Sequence, residues 1–111
     1  MKLYLDTSDQ NLCILKLDDQ TYEWPAGKEL AENLLGYIRD RLAENNKTWQ
    51  DLEEITFYTG PGSFTGLRIG AAIVNTLASE LDIPLYDQHG EKHQIILPDY
   101  GKPANITKPK K

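Results

Sequence analysis

Apolar and polar residues alternate from the first positions of the chain: Leu3 and Leu5 are interleaved with Lys2, Tyr4 and Asp6, a period of two that predicts a strand with one buried face. Thr7-Ser8-Asp9-Gln10-Asn11 has turn chemistry. Leu12 to Leu17 predicts a second strand, Asp18-Asp19-Gln20 turns the chain, and Thr21 to Trp24 predicts a third. Pro25, Ala26 and Gly27 break this alternation. From Lys28 onward the period changes, with Ala31, Leu34, Leu35, Ile38 and Leu42 recurring at helical spacing and Glu32, Arg39, Asp40 and Glu44 on other faces. An amphipathic helix ending near Asn45-Asn46 is expected. Thr48 to Asp51 reads as a short capped turn, and Ile55 to Thr59 as a buried central strand stopped by Gly60-Pro61-Gly62.

A second helix is expected from Ser63 or Thr65 to Leu81, with Leu67, Gly70, Ala71, Val74, Ala78 and Leu81 on one stripe. Ile69 and Ile73 lie off that stripe, so the helix asks for two packing partners. Pro84-Leu85-Tyr86 predicts a further strand and completes a β-α-β unit, expected to be right-handed. The polar stretch from Asp87 through Lys92 reads as a loop and Gln94 to Leu97 as a short edge strand. The order strand, strand, strand, helix, strand, helix, strand matches the ribonuclease H-like arrangement, the half-unit of actin-like and sugar-kinase-like ATPases. The predicted fold is α/β, a single lobe over 1–97. Its mixed five-stranded sheet has three antiparallel strands followed by the β-α-β unit, and an extended or disordered Lys/Pro tail occupies 98–111.

Composition changes this picture little. A chain of 111 residues, 40% hydrophobic and 26% charged, can build one core. No apolar run approaches the ~20 residues of a spanning helix, and Asp6 comes too early for a signal peptide, so the expected compartment is the cytoplasm with no membrane contact. Cys13 is the single cysteine and sits in an alternating stretch, which predicts a small buried thiol rather than a nucleophile or a disulfide partner. The net charge is −5, and Lys102, Lys108, Lys110 and Lys111 leave −9 on the rest. An acidic body is a poor binder of nucleic acid. The basic tail can touch phosphate, although a solvated terminus is the simpler reading.

Candidate chemistry concentrates in Gly60-Pro61-Gly62-Ser63-Phe64-Thr65-Gly66-Leu67-Arg68-Ile69-Gly70. Pro61 suits the second position of a type II turn and Gly62 the positive φ of the third. Ser63 or Thr65 then caps a helix whose first N–H groups can hold an anion. Thr7, Ser8, Gly62 and Ser63 are the candidate anion or nucleotide contacts, and a tight connection without ligand is the equal alternative. No Gly-Lys-Ser or Gly-Lys-Thr follows the glycines, so this is not a Walker A loop. Gly66 and Gly70, one turn apart, lower the helix surface, and each costs about 1 kcal/mol relative to Ala unless a close approach requires it. Either the chain's own elements or a partner's helix comes close there, and the surplus apolar residues Ile69 and Ile73 favour the partner.

Two metal readings compete with this. Asp6 can start a ribonuclease-type carboxylate set with Glu29 or Glu32, but Thr59-Gly60 stands where the fourth strand would supply an acid, and a hydrogen-bonding Asp is the better expectation. His89 and His93 face one metal only if residues 89–93 are helical, which Gly90 opposes. Trp24, Trp49 and Tyr58 are expected in or at the edge of the core.

Leu5-Asp6-Thr7-Ser8, the Gly60 to Gly70 string and Ile83-Pro84-Leu85, in this order and separation, resemble the amino-terminal lobe of the TsaB family of tRNA threonylcarbamoyladenosine biosynthesis proteins. The resemblance covers most of residues 1–86. It implies an actin-like fold, no independent catalysis and no cofactor. It also implies a scaffold role for TsaD, the subunit that modifies adenosine beside the tRNA anticodon, with the ATPase TsaE joining a larger complex and tRNA contacted at most indirectly. TsaB-like proteins pair with TsaD through the helices of this lobe, which implies an interface with TsaD at Gly66, Ile69, Gly70, Ala72, Ile73 and Thr76, extending to the first helix. A homodimer can use the same helix. Tyr86 leads almost directly to Leu97-Pro98-Asp99-Tyr100, which resembles a family carboxyl terminus with the second lobe removed. TsaD itself has a His-x-x-x-His metal pair close to the place of His89 and His93, so the alternative is a small metal-dependent enzyme using that pair or Asp6.

Overall fold

In the computed structural model, which describes residues 1–97, the alternating segments become strands β1 (Lys2–Asp6), β2 (Cys13–Leu17) and β3 (Gln20–Trp24). The tail assigned to 98–111 lies outside the described residues. β4 (Glu54–Phe57), β5 (Leu85–Asp87) and β6 (Lys92–His93) complete one sheet in the order β3-β2-β1-β4-β5-β6. β1 pairs antiparallel with β2 and parallel with β4, β2 pairs antiparallel with β3, and β4 pairs parallel with β5. This is the expected mixed sheet with one strand more than expected.

Register explains the core. Leu3 lies opposite Leu17 and Ile55, and Leu5 opposite Leu15 and Phe57, so period-two alternation sends all six to the same face. α1 (Leu30–Glu44) adds Leu30, Leu34, Ile38 and Leu42, a strict i+4 repeat, and α2 (Phe64–Leu81) adds Leu67, Ala71, Val74 and Ala78. These residues form one buried cluster with the strands. α1 ends where Asn46 takes a left-handed φ of 61° and the Asn45 side-chain amide donates to the Arg41 carbonyl and the Tyr22 hydroxyl. Trp24 on the edge strand stacks on Tyr37 of α1 at 4.3 Å, closing the core at that side. Cys13 is buried, and burial with Asp6 nearby pushes its thiol up to about 12, the inert residue that its position predicted.

The edge strand expected at Gln94 to Leu97 is corrected. Pairing to β5 is made by Lys92–His93, and residues 94–97 leave the sheet because Ile96 is drawn into the core beside α2. Among the described residues, no helix is long and apolar enough to cross a membrane.

Candidate functional site

Two loops meet where β1 and β4 end, and their hydrogen bonds are directed at each other. Thr7 is fully buried, and its Oγ1 donates to the Gly66 carbonyl at 2.7 Å. The Ser8 N–H and Oγ both donate to Asp6 Oδ1, at 2.8 and 2.6 Å, and the Ser8 carbonyl accepts from the Ser63 N–H at 2.8 Å. Ser63 is the N-cap of α2, its Oγ accepting from the Gly66 N–H at 3.1 Å. The groups expected to contact an anion, Thr7, Ser8, Gly62 and Ser63, therefore hold the loops together, and the Asp6 carboxylate already takes the Ser8 donors that an anion would want. The turn geometry is also corrected: positive φ belongs to Gly60 (118°), the Gly60-Pro61 bond is cis, and Gly62 is required instead by closeness, since a Cβ there would lie 2.5 Å from Ser8 Cβ.

The two helical glycines face inward. A Cβ on Gly66 would collide with the Thr7 carbonyl oxygen, and one on Gly70 with Thr7 Oγ1 and with Phe57 Cε1 at 2.6 Å. Their assignment to a partner interface is corrected, because their lowered surface is filled by the chain's own β1 loop and β4. Ile69 and Ile73 are half-buried, and Ala72 and Thr76 are exposed. With Ala31 and Leu35 of α1 they make an outward surface. A shallow cleft of about 450 Å³ is lined by Ala31, Thr65, Arg68, Ile69 and Ala72. Another, of about 400 Å³, is lined by Leu35, Trp49, Ile73, Thr76, Leu77 and Glu80 among others.

The histidines are not brought together as a helical pair. Residues 88–91 turn between β5 and β6, His89 is exposed in that turn, and His93 Nε2 meets Asp87 Oδ2 at 2.8 Å. Asp87 Oδ1 accepts from the N–H groups of His89 (2.8 Å) and Glu91 (3.0 Å). Asp87, Glu91 and His93 offer atoms within 4.8 Å of one another that could hold a metal, but both Asp87 oxygens are engaged in closing the hairpin. Asp6, the other metal candidate, is committed to Ser8. Sequence reading missed Asp87 and Gln88. The Gln88 side-chain oxygen accepts from the Thr59 N–H and hydroxyl, both at 3.0 Å, and its amide donates to the Gly60 carbonyl at 3.1 Å, tying the loop after β4 to the loop after β5. The available signal was Asp87 two residues after Leu85, an acid in an inward register that must find donors.

The His93 hydrogen bond, helped by the Glu91 and His89 N–H groups, holds the Asp87 carboxyl below the usual carboxylate range despite burial. A depressed folded pKa contributes stability that is present above the unfolded pKa of about 4 and is lost as the pH falls through the folded value. Melting temperatures of the chain and of Asp87→Ala should therefore differ at about pH 6 and converge as the pH falls through and below the depressed folded value. A constant gap across that window would show that the carboxylate does not hold the hairpin.

Residues 25–93 match the family model described as TsaD: tRNA N6-adenosine threonylcarbamoyltransferase. The chain is 36% identical over 87 residues to the tRNA threonylcarbamoyladenosine biosynthesis protein TsaB of Bacillus subtilis (strain 168), covering 75% of this chain and 38% of that protein. To TsaB of Haemophilus influenzae it is 33% identical over 91 residues, covering 68% and 39%. Among solved structures, YeaZ from Pseudomonas aeruginosa superposes with a TM-score of 0.68 at 32% identity, over 78% of this chain and 42% of that one. The chain thus spans about two fifths of the length of these relatives.

Proposed function

This chain is a TsaB-like member of the TsaD family, and from that premise we propose that it is a non-catalytic interaction subunit. In this reading its α1–α2 face docks on a TsaD-type transferase and supports threonylcarbamoyladenosine formation on tRNA in the cytoplasm. The observation that carries the reading is the division of labour on α2. Gly66, Gly70 and Val74 are buried against the chain's own sheet and loops, while Ile69, Ala72, Ile73 and Thr76 leave an apolar, small-residue surface turned outward. The polar groups of the neighbouring loops are spent on each other, which supports a docking role over catalysis. The matched span of 25–93 includes both helices, and in this reading a TsaD-type partner would meet them with its own counterpart of this two-helix layer. TsaE would join the larger complex, and the acidic body limits tRNA to indirect contact.

A homodimer through the same face is the resting form this surface favours. Arg68 and Glu80 lie twelve positions apart on α2, about 18 Å along its axis. An antiparallel copy centred between them would place each Arg68 opposite the other copy's Glu80. Co-expression with TsaD from the same cell, followed by reconstitution of the modification with and without this chain, tests the function. Stoichiometric co-purification and a rise in modified tRNA are expected. A chain that neither binds TsaD nor raises the yield would overturn the reading.

A further inference from the structure

The segment after β6 is fixed to α2 by one side chain. The Asn75 carboxamide oxygen accepts from the Ile96 N–H at 2.8 Å and its amide donates to the Ile96 carbonyl at 3.1 Å, the double pairing that a neighbouring strand would give. Ile96 is 1% exposed as a result, whereas Ile95 is 63% exposed. Gln94 and Ile95 thereby wall a cleft of about 460 Å³ whose other side is Asn75, Thr76, Ser79 and Glu80. Thr76 and Glu80 also line the cleft on the opposite flank, where Leu35, 46% exposed, supplies the apolar wall. The carboxyl-terminal half of α2 is therefore a ridge with a groove on each side, and each groove contains an exposed aliphatic side chain.

We propose that residues 94–97 form a third wall of the docking surface, which receives a two-helix layer with one helix in each groove, and that Asn75 is the positioning residue that sets this wall. The proposal rests on the docking reading above and adds an element that this reading does not contain. Helices pack with axes about 8–10 Å apart, ridges in grooves. A lone helix laid along α2 fills one groove and leaves either Leu35 or Ile95 in water, whereas a pair buries both. The family span holds such a pair, so a transferase of the same family is the occupant to which the geometry points.

The test titrates the full chain with TsaD from the same cell by calorimetry. Ile95→Asp should raise Kd about tenfold or more with an unchanged melting temperature, since the position is exposed. Asn75→Ala should weaken binding and speed hydrogen exchange at the Ile96 amide. Combined with Ile95→Asp it should add little further loss, because a released wall no longer presents residue 95. Native affinity for Ile95→Asp, alongside loss of binding by a substitution at the centre of the α2 face, would overturn the third wall and leave the docking reading standing. If the unaltered chain does not bind, both fall.

Discussion

Gly70→Ala is expected to lower the melting temperature by roughly 10–20 °C, although alanine is the better helix former by about 1 kcal/mol. The added methyl would overlap Thr7 Oγ1 and come 2.6 Å from Phe57 Cε1. Neither neighbour can give way cheaply. Phe57 is fully buried on a central strand, and the Thr7 hydroxyl is buried and bonded to the Gly66 carbonyl. Overpacking costs about 1–3 kcal/mol, and separating the Thr7 hydroxyl from its carbonyl leaves a buried unpaired group worth about 1–3 kcal/mol more. The helix-propensity gain is smaller than the sum. A thermal melt of the isolated chain decides the matter, because a glycine reserved for a partner would leave the melt unchanged or slightly raised and would affect binding alone.

The same pair of glycines shows how far the sequence can be read. That Gly66 and Gly70 need a close approach is legible, since two such costs inside one helix require a reason. Which surface approaches is not, because both a sheet loop and a foreign helix answer the same requirement at the level of sequence. The expectation of a partner rests on Ile69 and Ile73, off the buried stripe, and not on the glycines beside them. Elements with an uninterrupted period are legible to within a few residues: Leu30, Leu34, Ile38 and Leu42 mark α1, and Leu3 and Leu5 mark β1. The end of the described chain is not. Gln94 to Leu97 is a short aliphatic run that reads as a strand, yet Asn75, about twenty positions earlier, supplies both hydrogen bonds to Ile96 and removes it from the sheet edge. A short aliphatic run identifies a segment with something to bury, whether it rests on a strand or on a helix. The hairpin before it is obscured for a related reason. His89 and His93 have the spacing of a metal pair, while the group that organises the turn is Asp87, whose role depends on backbone N–H groups that no sequence pattern displays.

Ala72→Arg is the substitution expected to cost the most function with the least structure. Ala72 is exposed in the middle of α2 and lines the shallow cleft that also includes Ala31 of α1. Arginine is a good helix former, and an exposed position away from caps and core changes stability by about 0.5 kcal/mol or less, so the melt should not move. Against a docked two-helix layer the outcome differs. A small residue lets the facing backbones approach, and a guanidinium placed there must either hold the helices apart or be buried without a counter-ion, which costs about 3 kcal/mol or more. Affinity for TsaD should fall by more than about 100-fold, with a parallel fall in reconstituted tRNA modification. The homodimer, built on the same centre, should dissociate too, since an antiparallel two-fold axis on the outward face of α2, level with position 74, brings the two introduced guanidinium groups close together. Loss of the homodimer with retention of TsaD binding would separate the two interfaces and move the partner surface off the centre of α2. Retention of both would remove α2 from any interface.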